Sequence, residues 1–297
     1  MARIELGKYN KLRVVRKAYK HTGARVGEKE LLGLCLDGGD DGEILMPAKY
    51  IPEGTEIGDE VNVFVYLDQE ERPIATTEKP LAQAGDFAWL KCSWVNKYGA
   101  FLDWGVTKNL FCPFREQKQK MEIGNHYIIY IYVDEESYRL VASAKVDKFL
   151  HSIDEDKEGK YRHGKEVDLL IWQKTDLGFK VIVDNRYGGL IYSDQIFQYV
   201  HTGDRLKGYI DNIRPDGKID CTLQPTGRKQ TEGFAGTLLD YLESNGGVLN
   251  MGDKSDAEDI KRLFHVSKKV FKRAIGDLYK RRLIIVAPTK IELTNKG

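Results

Sequence analysis

The chain has 297 residues, of which 41% are hydrophobic and 31% are charged. This composition is typical of a globular protein of two to four domains. No apolar run approaches the roughly 20 residues of a membrane-spanning helix, and the first residues lack the apolar core of a secretion signal. We therefore expect a cytoplasmic protein without a membrane partner.

The net charge is only +1, but it is distributed unevenly along the chain. Residues 226–297 contain 14 Lys and Arg against nine Asp and Glu, which gives net +5 and leaves −4 for the rest. Such segregation favours a nucleic-acid-binding segment at the C-terminus. The four cysteines form no CxxC pair, so we expect neither disulfides nor a zinc site.

A pattern of strands and turns occurs three times. Each copy has a glycine within a strand pattern, namely Gly33, Gly99 or Gly178, and later an Ile-Gly or Thr-Gly pair that starts an alternating strand. Glycine within a strand often marks a barrel corner, and a period of about 65–80 residues suits a five-stranded barrel rather than a solenoid repeat. We predict a multidomain, mainly β protein with three tandem five-stranded OB-type barrels, at residues 1–80, 84–148 and 160–226.

The first copy also contains an extra stretch near residues 17–29 that the other copies lack. It includes Lys17, Lys20, His21 and Arg25. We interpret it as a polar loop insertion, with a loop that contacts a ligand as the alternative.

In the second copy, residues 98–102 resemble the aromatic-Gly-Ala-Phe-Val core of ribosomal S-one-type OB folds. Residues 109–112 then align with the Gly-Leu-Val-His of that family. The resemblance implies that exposed strand aromatics stack nucleotide bases. Carried over by position, Tyr98 and Phe101 are the candidate stacking residues, and Cys112 replaces a His that often faces the ligand.

The other aligned positions differ more from the S-one-type pattern. Phe111 falls on a position that this family normally buries. In the third copy, Lys180 replaces the Phe and Tyr192 stands at the His position, and both are candidate nucleic-acid-binding residues. The first copy has Leu32 and Cys35 where the aromatics belong, so we regard it as the most divergent copy.

Beyond a polar linker at residues 224–233, the hydrophobic period changes from two to about 3.6. A first helix around Phe234 ends at residues 245–247, and Ser255 with Glu258 forms a capping-box pattern for a second helix. Ser267 is a candidate N-cap for a third helix, and two short strands follow within residues 283–294. Three helices and a hairpin predict an α+β winged-helix domain at residues 233–297.

The third helix carries the cations of this domain. From residue 261 to residue 282 there are nine Lys and Arg against one acid, Asp277. Neutralised phosphates release counterions, so a cationic helix favours nucleic-acid binding over a merely solvated face. Cations at the end of a helix can instead complement its dipole. The candidate binding residues are Lys268, Lys269, Lys272, Arg273, Lys280 and Arg281.

Several short segments, at residues 6–10, 44–47, 252–255, 266–269, 271–276 and 278–280, resemble the signature of the bacterial conserved virulence factor B family. This resemblance covers nearly the whole chain. It implies three tandem S-one-type domains, a winged helix, RNA binding and a regulatory role in gene expression.

The sequence contains no catalytic constellation such as HExxH or GxxxxGK[ST]. We interpret the acidic residues 37–42 as a turn and residues 154–156 as a linker, and we expect no enzyme activity, cofactor or metal. The favoured function is binding of single-stranded RNA by a monomer that influences gene expression. The alternatives are a winged-helix transcription regulator that binds DNA and an interaction scaffold on the ribosome or the transcription machinery.

Overall fold

The computed structural model of the chain describes residues 4–21, 29–196, 198–225 and 228–294. It contains three closed five-stranded barrels, followed by a domain of helices with a small sheet. The predicted fold class is therefore confirmed. The chain divides into two compact units, one at residues 1–149 with the first two barrels and one at residues 150–297 with the third barrel and the winged helix.

The three barrels share one strand order, in which the fifth strand lies between the third and the fourth. The strands of barrel 1 are β1 Lys8–His21, β2 Lys29–Asp37, β3 Glu43–Pro47, β4 Glu60–Leu67 and β5 Pro73–Thr76. The strands of barrel 2 are β6 Phe87–Val95, β7 Gly99–Asp103, β8 Leu110–Pro113, β9 His126–Val133 and β10 Leu140–Ser143. The strands of barrel 3 are β11 Glu166–Thr175, β12 Gly178–Val183, β13 Tyr187–Tyr192, β14 Arg205–Ile213 and β15 Ile219–Thr222.

A glycine in the second strand of each barrel permits the close approach of the third strand. A Cβ on any of these glycines would overlap a backbone carbonyl oxygen of the third strand. The glycines Gly33, Gly99 and Gly178 would meet the carbonyl oxygens of Met46, Cys112 and Ile191, respectively. Only a residue without a side chain avoids this contact. These glycines therefore lie at the tight bends that the sequence pattern predicts.

The extra stretch of barrel 1 is partly strand rather than loop. β1 continues to His21 and β2 starts at Lys29, with Tyr19 opposite Leu31. The prediction of a loop from residue 17 is therefore wrong. No Gly or Pro interrupts residues 17–21, so the antiparallel ladder continues beyond a bulge next to Ala18. Arg25 lies outside the described residues.

Barrel 1 packs against barrel 2 through the outer face of β4, where Phe64 and Tyr66 join the core of barrel 2, while the interior of barrel 1 forms a core of its own. The ring of Trp104, which is 2% exposed, packs edge-on against Phe64 of β4, with 5.4 Å between ring centroids. The indole Nε1 of Trp104 donates a 2.7 Å hydrogen bond to the carbonyl oxygen of Lys108. The hydroxyls of Tyr50 and Thr107 form another link between the barrels, at 2.7 Å. The two barrels are thus held in a fixed arrangement.

The C-terminal domain has the elements of a winged helix. They are α1 Arg228–Ser244, β16 Val248–Leu249, α2 Ala257–Phe264, α3 Lys268–Lys280, β17 Ile284–Val286 and β18 Ile291–Leu293, with sheet order β16-β18-β17. The inner face of α3 packs in the domain core through Val270, Phe271, Ala274, Ile275 and Leu278. This is the periodicity predicted from the sequence.

Two predicted helix starts differ from the structure. α1 begins at Arg228, inside the stretch interpreted as a linker, because Gly233 sits in the helix with open space around it and does not end it. The N-cap of α2 is Asp256, whose carboxylate accepts from the amide of Glu258 at 2.8 Å, and not Ser255. The hydroxyl of Ser255 instead accepts from the amide of Gly252. Ser267 caps α3 as predicted.

No helix in the described ranges combines the length and the apolar character needed to cross a membrane.

The packing of Trp104 against Phe64 predicts that Trp104→Ala destabilises barrel 2 and also barrel 1. We expect the free energy of unfolding of barrel 2 to fall by about 3–5 kcal/mol, because a large buried ring leaves a cavity. The free energy of unfolding of barrel 1 should fall by less, because barrel 1 loses only the contact on the outer face of β4. Native-state hydrogen exchange on the full chain measures this for each barrel. Trp94→Ala is the matched control, since that ring is 44% exposed and its loss should cost about 1 kcal/mol. An unchanged free energy of unfolding of barrel 1 in Trp104→Ala would contradict this coupling between the two barrels.

Candidate nucleic-acid interface

Three aromatic rings form a row on the surface of barrel 2. Phe101 of β7 lies opposite Trp94 of β6 on one side and opposite Phe111 of β8 on the other. The rings of Trp94 and Phe101 stack with centroids 4.1 Å apart and an interplanar angle of 7°, and Phe111 follows at 5.0 Å. Trp94 is exposed and the two Phe rings are half-buried. One face of the Phe101 ring is covered by Trp94, so the exposed Trp94 supplies most of the free ring surface of the row.

A β-bulge places Trp94 in this row. The register of β6 against β7 shifts between Cys92 and Trp94. Strict alternation would put both residues on one face, whereas the bulge leaves Cys92 fully buried and turns Trp94 outward. Trp94 is a candidate that strand alternation alone does not reveal.

Tyr98 lies in the turn before β7 and is 62% exposed. The side-chain oxygen of Asn96 fixes this turn by accepting from the amides of Tyr98 at 2.8 Å and Gly99 at 3.2 Å. The ammonium group of Lys97 lies 5.0 Å from the centre of the Tyr98 ring. Together with Phe101, Tyr98 lines a cavity of about 470 Å³. The structure thus brings the two predicted stacking residues together.

The placement of Phe111 and Cys112 corrects the sequence alignment by one residue. Gly99 pairs with Pro113 in barrel 2, and Gly178 pairs with Tyr192 in barrel 3, so Pro113 and not Cys112 matches the position of Tyr192. Because a shift of one residue exchanges the two faces of a strand, Phe111 faces outward. Cys112 is fully buried, and burial raises the pKa of its thiol to about 12. Cys112 is a core residue.

The ring row does not occur in the other two barrels. The residues that match Trp94, Phe101 and Phe111 by register are Arg16, Cys35 and Leu45 in barrel 1, and Gln173, Lys180 and Leu190 in barrel 3. In barrel 1, Arg16 binds Glu43 at 2.6 Å across this face. In barrel 3, the ammonium of Lys180 lies 5.0 Å from the Trp172 ring.

Tyr192 of barrel 3 is held by a neighbouring ion pair. Its hydroxyl is hydrogen-bonded to Arg214, whose guanidinium binds Asp220 at 2.6 Å. The guanidinium carbon of Arg214 also lies 5.8 Å from the ring centre. The ring is half-buried, so it offers less free surface than Tyr98.

The cationic residues of α3 face away from the core of their own domain. Lys269, Lys272, Arg273 and Lys280 are exposed and recur at helical spacing, and Lys268 is half-buried. Lys272 binds Asp253 at 2.8 Å and Arg281 binds Asp277 at 3.4 Å, so both acidic partners belong to the winged-helix domain itself. Within the described residues, the ion pairs include none for Lys268, Lys269, Arg273 or Lys280.

The first turn of α3 is electrostatically unusual. It contains Lys268 and Lys269 and no acid, although the start of a helix carries partial positive charge. The neighbouring α2 has the favourable arrangement, with Glu258 and Asp259 in its first turn. The two lysines at the start of α3 therefore reduce helix stability, which an anionic ligand would compensate.

Two domain families match this chain. The family "CvfB-like winged helix domain" matches residues 236–293. The family "S1 domain" matches residues 6–78, which form barrel 1. The S1 match falls on barrel 1, the copy whose aligned positions differ most from the S-one-type pattern. The protein thus combines OB-type barrels with a winged helix, two classes of fold that bind nucleic acids.

Known proteins resemble the chain over most of its length. "Conserved virulence factor B" of Staphylococcus aureus (strain bovine RF122 / ET3-1) is 23% identical over 249 residues, which is 82% of each chain. "Uncharacterized protein YitL" of Bacillus subtilis (strain 168) is 26% identical over 253 residues, or 84% of each chain. The resemblance to the conserved virulence factor B family is thereby confirmed.

A crystal structure of a multidomain protein with nucleic acid binding domains from Streptococcus pneumoniae TIGR4 also aligns with the chain. It shares 23% identity at a TM-score of 0.41, over 97% of this chain and 98% of that one.

The charge pattern of α3 predicts that Lys268→Glu with Lys269→Glu stabilises the winged-helix domain, by about 1 kcal/mol. Lys280→Glu is the matched control, because the same charge reversal in the last turn should destabilise the domain. Hydrogen exchange of the α3 amides in the full chain measures both effects. If the charge reversals at the two ends of α3 changed the stability in the same direction, the helix dipole could not be the cause of the change.

Proposed function

We propose that this protein is a non-enzymatic RNA-binding regulator that holds single-stranded RNA. The observation that carries the proposal is the row of Trp94, Phe101 and Phe111, with Tyr98 close by. Base stacking on aromatic rings contributes about 1–3 kcal/mol per base and tolerates any sequence. The exposed rings of Trp94 and Tyr98 suit unstacked bases, which a duplex does not present.

The winged helix supplies the phosphate contacts in this proposal. Lys268, Lys269, Arg273 and Lys280 would contribute most. Lys272 and Arg281 would contribute less, because each already has a carboxylate partner. When two weakly binding surfaces belong to one chain, binding at the first surface raises the effective concentration of RNA at the second. The overall affinity therefore exceeds that of either surface alone.

Barrel 3 has a secondary role in the proposal. Lys180 offers a cation at the position that Phe101 occupies in barrel 2, and Tyr192 offers one partly exposed ring. The Tyr192 ring would have to stack without leaving its bond to Arg214. We therefore expect substitutions at these two positions to weaken binding less than substitutions in the ring row.

The regulatory part of the proposal rests on the family resemblance. We infer that the protein acts as a cytoplasmic monomer that influences gene expression through the RNA it holds. The four cysteines are unpaired and buried, which fits a reducing compartment. The winged helix leaves a DNA-binding regulator as the second candidate, because its third helix commonly enters the major groove.

The ring row predicts that Trp94→Ala weakens binding of single-stranded RNA by about tenfold or more, as expected for one lost stacking surface. Trp89→Ala is the control, since Trp89 is on the same strand but stacks on His126, outside the row. Fluorescence anisotropy with a labelled ribo-oligonucleotide gives both affinities. Equal effects of the two substitutions would contradict the proposal, and a preference for duplex DNA in competition would favour the second candidate.

The phosphate contacts predict a change in salt dependence. Lys269→Ala with Arg273→Ala should reduce the slope of log affinity against log salt by about 1.4, because each phosphate contact to a single strand contributes about 0.7. Arg262→Ala on α2 is the control, since that side chain pairs with Asp259. Affinity measured at several salt concentrations tests this, and an unchanged slope would remove α3 from the interface.

A further inference from the structure

The cavity next to Tyr98 and Phe101 is a groove between barrel 1 and barrel 2. Its lining from barrel 1 is Tyr66, Leu67 and Glu71, and its lining from barrel 2 includes Trp104, Asn109, Phe111 and the two cations Lys108 and Arg139. The volume of about 470 Å³ is typical of sites for small ligands. We call it the inter-barrel groove.

One carboxylate neutralises both cations of the groove. Glu71 lies 3.4 Å from the ammonium of Lys108 and 3.3 Å from Nε of Arg139. Glu71 is the only acidic residue of the lining, so an uncharged residue there would leave two cations facing the groove. The site would then have the charge that a phosphate group requires.

The turn that carries Glu71 has a fixed conformation. Glu71 has a φ of 63°, and Gly217 in the matching turn of barrel 3 has a φ of 77°, so the left-handed residue is part of the hairpin geometry. Asp68 fixes the turn, because its Oδ1 accepts from the amides of Glu70 at 2.8 Å and Arg72 at 3.0 Å. The turn thereby positions the carboxylate of Glu71 next to the cations of the opposite barrel.

We infer that the inter-barrel groove binds one nucleotide of the RNA strand, an inference that rests on the proposed function. The base lies among the rings of Tyr98, Phe101 and Phe111, and its phosphate replaces Glu71 at Lys108 and Arg139. Barrel 1 then acts as one wall of the site of barrel 2, rather than as a separate RNA-binding barrel.

The groove contains the polar groups that such a ligand needs. The side-chain amide of Asn109 has no hydrogen-bond partner within the described residues, and an amide can both donate to and accept from a base edge. The ammonium of Lys108 also donates to the carbonyl oxygen of Asp68 at 2.7 Å. That bond keeps Lys108 in place when Glu71 is displaced.

Glu71 therefore competes with the phosphate for the same two cations. Removal of its charge should favour RNA, whereas removal of a cation should weaken binding. An exposed ion pair is weak, so the gain from Glu71→Gln should be about threefold. The loss of one phosphate contact in Arg139→Gln should lower the salt slope by about 0.7.

The experiment compares Glu71→Gln with Glu70→Gln in the full chain, using a fluorescein-labelled single-stranded ribo-oligonucleotide of about eight nucleotides. Glu70 is in the same turn and loses the same charge, but it pairs with Arg72 instead of the groove cations. We expect tighter binding only in Glu71→Gln and weaker binding with a lower slope in Arg139→Gln. In the Arg139→Gln background, Glu71→Gln should give a smaller gain, because only Lys108 is then released. Circular dichroism confirms that each variant is folded.

The possible outcomes separate this inference from the proposed function. Suppose that Trp94→Ala weakens binding, but that Glu71→Gln behaves like Glu70→Gln or Arg139→Gln has no effect. The groove is then not a nucleotide site, and the proposed RNA contact at the ring row is unaffected. If Trp94→Ala leaves binding unchanged, the proposed function fails and the inference fails with it.

Discussion

The contact between Trp104 and Phe64 determines how the N-terminal unit is organised. A barrel of this size buries a limited share of its surface on folding, so an isolated copy is only marginally stable. By joining two cores through buried aromatic rings, the chain gains apolar burial and also fixes barrel 1 against barrel 2. The inter-barrel groove depends on that rigidity, because Glu71 comes from one barrel and both cations come from the other.

The fold could be predicted from the sequence because its main signals are local. Glycines at strand bends, period-two alternation and the change to a helical period identify the barrels and the winged helix. Residue types alone misalign barrel 2 by one position, because they match Cys112 rather than Pro113 to Tyr192. The strand partner of each glycine lies 14 residues later, as in Gly33 and Pro47, Gly99 and Pro113, and Gly178 and Tyr192. That constant spacing was the available signal.

The candidate site was only partly predictable. Tyr98 and Phe101 stand in a recognisable motif, and they remain predicted contacts until binding is measured. Trp94 turns outward through a bulge, and bulges depend on the pairing of whole strands rather than on local sequence. Glu71 and Arg139 are far apart in the chain, so their pairing follows from the packing of barrel 1 against barrel 2. Single-sequence patterns carry no information on such a contact.

Two features on the cationic face of α3 lower the stability of this helix. Its first turn holds two lysines against the helix dipole, and its interior contains Gly276, where an added Cβ would meet nothing within 4 Å. Glycine inside a helix costs about 1 kcal/mol relative to alanine. Gly276 follows Lys272 and Arg273 at helical spacing, so it lies on the cationic face. A polyanion that approaches the backbone closely would account for both features, whereas a face that is only solvated requires neither.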